Sequence, residues 1–188
     1  IGNIEIGYDQ PPFIIAEISG NHNQSIDRAF QIVEAAKKAG VHAVKLQTYT
    51  ADTMTLDISK GSFQINDENS LWNGRNLYEL YDEAHTPWQW HKELFDRCKA
   101  LGLLCFSTPF DATSVEFLEK LNAPAYKIAS PEILDIPLIQ KVARTGKPVI
   151  MSTGMANIQE IAEAVQAAKN AGCKDLVLLK CTSAYPAS

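Results

Sequence analysis

The feature that most constrains this chain is a repeated alternation. A short apolar run is followed by an amphipathic helical stretch, then by a glycine, then by the next apolar run. Strand-like runs fall at 13–19, 43–49, 103–109, 125–130, 148–154 and 176–183. Most are continuously apolar rather than alternating, as strands covered on both faces are. Between them, 26–39 places Ala29, Ile32, Val33 and Ala36 at helical spacing, and 87–101, 112–121, 137–145 and 158–171 behave alike. Thr86-Pro87-Trp88-Gln89 reads as an N-cap, a proline at N1 and a glutamine at N3, and Asn157-Ile158-Gln159-Glu160 as a second such start. Gly40, Gly102, Gly146 and Gly172 stand where helices need left-handed C-caps. Helix, glycine and strand repeated in this way make a βα array.

Two architectures are compatible with such an array. A doubly wound sheet that binds nucleotides would carry a glycine-rich turn after its first strand, but Ser19-Gly20-Asn21-His22-Asn23 contains neither GxGxxG nor GKS/T. Polar residues instead occur near the C-terminal ends of all six runs, which is how a TIM-type (β/α)8 barrel concentrates its site. The expectation is therefore α/β, a TIM-type barrel of which residues 1–188 supply about the first six βα units. A whole barrel takes about 250 residues and eight strands, so the chain reads as truncated, an N-terminal barrel portion. Strand starts are 22 to 30 residues apart except between 43 and 103, where about 30 extra residues are inserted. That insertion, 50–85, is polar with aromatics (Phe63, Trp72, Tyr78, Tyr81) and follows a strand's C-terminal end, where α/β proteins place their chemistry.

Composition excludes several classes. With 46% hydrophobic and 21% charged residues the chain is an ordinary globular one. No apolar run nears the ~20 residues of a membrane span, and the start has no signal-peptide pattern. The net charge is −5 with no basic cluster, so neither nucleic acid nor an anionic membrane is an expected partner. Cys98, Cys105, Cys173 and Cys181 have no CxxC spacing, and a reducing cytoplasm is expected.

Charged residues inside the strand-like runs point to a site. Glu17 lies in FIIAEIS, Lys45 in AVKLQTY, Lys127 in AYKIAS and Lys180 in LVLLKCTS. A buried carboxylate or ammonium needs a partner. The lysines outnumber Glu17, so the barrel mouth should be locally positive and attract a phosphate or carboxylate. Hydroxyls cluster near the same strand ends: Thr48, Ser107, Thr108, Ser130, Ser152, Thr153, Thr182 and Ser183. His22, in GNHN, follows strand 1 and is a candidate to line the site, as is Gln47. No HxH, HExxH or carboxylate cluster has metal-ligand spacing, and GxSxG is absent.

At these residues the sequence resembles the sialic acid synthase family of phosphoenolpyruvate-condensing enzymes. The blocks are AEISGNHNQS (16–25), AVKLQTYTADTMTLD (43–57), FSTPFD (106–111), PAYKIAS (124–130), GKPVIMSTGMA (146–156) and LLKCTSAYP (178–186). SGNHN, LQTYTADTMTLD and LWNGRNLYELYDEAHTPWQWH (71–91) resemble most the branch that makes pseudaminic acid, with the sialic and legionaminic branches as alternatives. The resemblance implies a (β/α)8 barrel followed by a small antifreeze-like domain, exchanged within a homodimer. It implies condensation of phosphoenolpyruvate with an N-acetylated amino sugar, for this branch a 2,4-diacetamido-2,4,6-trideoxy-altrose. The products would be a nine-carbon 2-keto acid and phosphate. A divalent metal (Mn, Mg or Co) would polarise the open-chain aldehyde.

By the same resemblance Lys45 and Lys127 would bind the phosphoenolpyruvate carboxylate and phosphate, with Ser130 and Ser152 hydrogen-bonding the same ligand. Glu17 would face the acceptor or the attacking water, and Tyr185 would contact the site from the end of strand 6. Ser183 stands where sialic acid members carry Asn, which suits a different acceptor. The family's two metal-binding histidines and the second-domain arginine have no counterpart here, so this stretch alone is expected to be inactive. Trp72 and Tyr78 of the insertion are expected near the sugar's acetamido or methyl groups. Two rivals stand beside this reading: a Schiff-base aldolase using Lys127 or Lys180, and a non-catalytic barrel remnant that binds phosphorylated ligands.

Overall fold

The computed structural model describes residues 1–182. Among these residues six parallel strands occur in sequence order, each hydrogen-bonded to the next: β1 (Ile15–Glu17), β2 (Ala43–Thr48), β3 (Leu104–Pro109), β4 (Tyr126–Ile128), β5 (Val149–Ser152) and β6 (Leu176–Leu179). Seven α-helices lie between them: α1 (Ile26–Lys38), α2 (Ala51–Met54), α3 (Leu77–Ala84), α4 (Trp88–Ala100), α5 (Ala112–Lys120), α6 (Ile136–Ala143) and α7 (Ile158–Asn170). Strand order 1-2-3-4-5-6 without a reversal is the order of a barrel wall, and the six strands form most of a TIM-type barrel.

The helix ends follow the chemistry of their sequences. Asn157 accepts from Gln159 N and Glu160 N in a full capping box, and Asp111 does the same for α5. Gly40, Gly102, Gly146 and Gly172 all have φ between +72° and +100° or just below it, at +69° for Gly102, the left-handed conformation a C-cap requires. The start of α4 differs from expectation. Pro87 keeps an extended ψ of 131°, so the helix begins at Trp88, and the Thr86 hydroxyl is free to bond elsewhere.

Strand periodicity sorts the side chains into two layers. One face packs on the helices: Val44, Leu46 and Cys105 join Leu94 and Val33, while Tyr126, Ile128, Val149 and Met151 join Leu138, Val142 and Ala164. The other face lines the barrel interior. Its lower layer is apolar, with Ala43, Phe106, Ala125 and Ile150 buried together. Two residues further along the same strands the interior positions become Lys45, Thr108, Lys127 and Ser152. The closed end must exclude water and the open end must not, so the change from apolar to polar falls at one level across the sheet.

Strands β1 and β6 have no further neighbour among the described residues. Ile14, Leu178 and Leu179 beside them are exposed. The accessible surface is 10820 Å², whereas a compact monomer of this mass has about 8,900 Å². Lys180, expected in a buried strand, is exposed just past β6. No helix among the described residues is long and apolar enough to cross a membrane.

Candidate functional site

The interior polar residues open into a cleft of about 520 Å³ at the C-terminal ends of the strands. Glu17, Lys45, Gln47, Thr108, Lys127, Ser130 and Ser152 all line it: Lys45 and Gln47 come from β2, Lys127 and Ser130 from β4 and the turn after it, and the others from one strand each. Lys45 pairs with Glu17 and donates to Thr108 Oγ1 at 3.1 Å. Glu17 thus has the partner that a carboxylate in this run needs, although its place on the edge strand leaves it partly exposed. Lys127 is only 7% exposed. Its Nζ donates to Ile128 O at 2.6 Å and to Ser152 Oγ at 2.7 Å. Burial, and then the charge of Lys45, pull its ammonium down to about 8. Ser130 Oγ accepts from Gly154 N at 3.2 Å, which ties the turn after β4 to the turn after β5.

One carboxylate escaped the sequence reading. Glu132 follows Ser130 in the 3-10 turn Pro131–Leu134. Its Oε2 is buried and has no hydrogen-bond partner among the described residues, and burial raises its carboxyl while its own backbone N–H and then the Lys127 charge oppose that rise. A sequence signal existed: a charged residue two positions beyond a cleft serine, behind a proline that shapes the turn.

Other expected residues are placed elsewhere. His22 does not line the cleft. It is fully buried: Nδ1 accepts from Gln24 N at 3.2 Å, which leaves Nε2 to donate to Thr86 Oγ1 at 3.1 Å. Burial and the neighbouring His85 lower its pKa, so it acts as a neutral tie between two loops. Thr48 and Ser107 point away from the cleft because they sit one residue out of phase with Lys45, Gln47 and Thr108. They form a buried chain with α4: Ser107 Oγ lies 2.6 Å from Thr48 Oγ1, which lies 2.8 Å from His91 Nε2. His91 Nδ1 lies 3.2 Å from Pro87 O, so it donates there and Nε2 accepts. Burial pushes His91 down to about 4, which keeps it neutral. Thr153 donates to Leu179 O at 3.1 Å. Ser183 and Tyr185 lie outside the described residues.

The insertion reaches the cleft through different residues from those expected. Trp72 is 41% exposed and does not line the cleft. Tyr78 is turned to Asp52, to which its hydroxyl donates at 2.9 Å. Met54 and Tyr81 line the cleft instead, beside Tyr49 and Phe110. The Tyr49 ring meets Phe110 and Tyr81 edge-on, with centroids 5.3 and 5.9 Å away.

Chemically, the floor offers two ammonium groups and three hydroxyls against the carboxylate of Glu17, which already holds Lys45. Such a floor suits a compact polyanion. For a metal ion the donor set does not fit. Among the described residues no group of three or more His, Cys, Asp or Glu could hold one. The imidazoles of His22 and His91 are fully hydrogen-bonded away from the cleft.

Comparison with known proteins bears on what this cleft is. The NeuB family matches over residues 32–188. The pseudaminic acid synthase of Helicobacter pylori is 49% identical over 177 residues, covering 94% of this chain and 52% of that protein. The N,N'-diacetyllegionaminic acid synthase of Legionella pneumophila is 38% identical over 181 residues, covering 94% and 50%. The chain thus spans about half the length of the curated relatives it matches. Among solved structures, the N-acetylneuraminic acid synthetase of Leptospira borgpetersenii superposes with a TM-score of 0.85 at 31% identity, over 100% of this chain and 60% of that one.

Proposed function

The chain belongs to the NeuB family, and from that premise we propose that the full-length protein condenses phosphoenolpyruvate with an N-acetylated amino sugar to a nine-carbon 2-keto acid and phosphate. The observation that carries the reading is the cleft floor, where Lys45 and Lys127 converge with Thr108, Ser130 and Ser152. Phosphoenolpyruvate brings close to three negative charges on a small rigid frame, and that floor offers charge-assisted donors to both of its anionic ends. Held there, its C3 would be aimed at the acceptor aldehyde, and orientation of this kind lowers the barrier as well as the dissociation constant.

C3 attacks the aldehyde carbon, and the electron pair of that C=O becomes the new alkoxide. The C2=C3 pair spent in that bond leaves C2 electron-poor; water adds there and gives up a proton while the alkoxide gains one, and the tetrahedral intermediate forms C2=O, losing its hydroxyl proton, as its C–O bond to phosphate breaks. Glu17, partly exposed and next to Lys45, is assigned to the acceptor or to the attacking water. Gln47 is assigned to substrate binding. Ser183 and Tyr185 keep their assignments on the resemblance alone. A divalent metal belongs to the proposal for the full-length enzyme. The described residues do not form its site. A homodimer, a completed barrel with an antifreeze-like domain, and a cytoplasmic location are likewise part of the proposal. The acceptor proposed is 2,4-diacetamido-2,4,6-trideoxy-altrose, because identity is higher to the relative named for pseudaminic acid than to the one named for legionaminic acid.

The test is phosphate release by the full-length protein with phosphoenolpyruvate, Mn²⁺ and three acceptors: N-acetylmannosamine and the altro and manno diacetamido-trideoxy hexoses. Release with the altro sugar alone is expected. Release with another sugar would correct the branch, and no release with any acceptor would refute the condensation. The lowered pKa of Lys127 also suits an imine-forming lysine. A borohydride-trapped keto-acid adduct on Lys127 would turn the assignment to an aldolase.

A further inference from the structure

The cleft has two chemically distinct halves. The strand floor carries the charges and hydroxyls. The loop wall over it is uncharged and aromatic or thioether in character, with Tyr49, Met54, Tyr81, Phe110 and Met155. The insertion supplies Met54 and Tyr81 to that wall and no charged residue to the lining. The wall has no cation to offer an anion. The uncharged substrate does, since the C–H face of a sugar ring packs on an aromatic face and a phenol can bond an acetamido carbonyl. The Tyr81 ring is half-buried, stands edge-on to Tyr49 at 5.9 Å and 83°, and has a hydroxyl with no hydrogen-bond partner among the described residues.

What holds Tyr81 in place is unusual for a helix. Its carrier α3 has eight residues, of which none is fully buried and Leu77, Leu80, Tyr81 and Ala84 are half-buried, so packing alone holds it only in part. Polar ties at both ends add to that packing. At the N-terminus Asn76 accepts from Tyr78 N at 2.7 Å and donates to Ser59 Oγ at 2.8 Å. At the C-terminus the Gln24 side-chain amide donates to Glu83 O and to His85 O, both at 2.8 Å, taking up the carbonyls that a helix end leaves open. Gly20 closes the same contact: a Cβ there would come within 2.9 Å of Ala84 O. Gln24 itself sits at φ +54°, with Asn23 and Ser19 at +49°, a backbone conformation that costs free energy in non-glycine residues. The loop after β1, whose strand bears Glu17, is thus strained into gripping the last turn of α3.

We propose that Tyr81 is the specificity-determining residue for an uncharged N-acylated acceptor sugar, and that Gln24 is the positioning residue that holds it over the cleft. This rests on reading the cleft as a phosphoenolpyruvate-condensing site. Tyr81 contacts the acceptor, and phosphoenolpyruvate binds below it without its help. The two substrates therefore respond separately to changes on the wall.

The experiment uses the full-length protein and the acceptor the wild type turns over best, with KM measured for each substrate. Tyr81→Ala is expected to raise acceptor KM by about tenfold, the worth of one aromatic contact, while KM for phosphoenolpyruvate stays within about twofold. Tyr81→Phe keeps the ring and the fold, and is expected to raise acceptor KM by about threefold through the lost hydroxyl. Gln24→Gly removes the amide but relieves the strained φ, so acceptor KM should rise by about threefold with no fall in Tm. Unchanged acceptor KM in Tyr81→Ala or Tyr81→Phe, or equal rises for both substrates, would overturn the assignment of Tyr81. A Gln24→Gly variant that changes Tm but not acceptor KM would overturn the positioning role. A wild type that releases no phosphate with any acceptor would overturn the underlying function, and this proposal with it.

Discussion

Raising the pH through about 8 is expected to weaken phosphoenolpyruvate binding, because that is where Lys127 loses its proton in the empty cleft. Burial and the neighbouring Lys45 pull the ammonium from its usual 10.5 down to about 8, a cost of about 3 kcal/mol to the folded state whenever the group is charged. The sign for stability follows. Below about 8 both the folded and the unfolded chain carry the proton, and the whole cost is present. Between about 8 and 10.5 only the unfolded chain keeps it, so stability rises with pH across that window. A polyanion in the cleft reverses the balance by stabilising the charged form. Binding must then draw a proton onto Lys127: about a quarter of a proton near pH 7.5 and about nine-tenths near pH 9. Titration calorimetry of the full-length protein with phosphoenolpyruvate, in buffers of different ionisation enthalpy, reads that uptake directly. Lys127→Met should abolish the uptake and weaken binding. Uptake that does not grow between the two pH values, or that persists in Lys127→Met, would refute the argument.

Glu17→Gln frees Lys45 from its internal counter-ion. Phosphoenolpyruvate should then bind about two- to fivefold more tightly while turnover falls by at least about a hundredfold, the range of a lost proton-transfer group; equilibrium binding and steady-state kinetics separate the two. Thr48→Val keeps the shape of the residue but leaves Ser107 without its acceptor and His91 without its donor. It should cost about 2–4 kcal/mol in urea unfolding, and an unchanged midpoint would show that the buried chain contributes nothing. Gly102→Ala meets only the end of the long Lys37 side chain, Nζ 3.8 Å from the new Cβ. Its cost should therefore be the backbone term alone, about 1–2 kcal/mol at φ > 0, and a larger loss of Tm would mean that the C-cap also carries packing.

Much of this protein is legible in its sequence. The βα rhythm, four glycine C-caps and the placement of Lys45 and Lys127 in apolar strands depend on short-range rules: helical and strand periods, and the cost of burying an unpaired charge. Those rules predicted the barrel wall and its charged floor. Strand parity is also in the sequence: Thr48 and Ser107 stand one residue out of phase with Gln47 and Thr108, which turns them to the helix-facing side. What no local rule decides is which side chain of an insertion reaches a cleft made by other segments. Trp72 and Tyr78 look as suitable as Tyr81 in the sequence, and His22 looks as available as any histidine in a loop. Their fates depend on contacts between residues far apart in the chain, Gln24 with Glu83 and His85, His22 with Thr86, Tyr78 with Asp52. Composition and spacing determined what kinds of groups the site contains. Only the tertiary structure decided which of them face each other, because that is set by the closure of loops whose partners lie dozens of residues away.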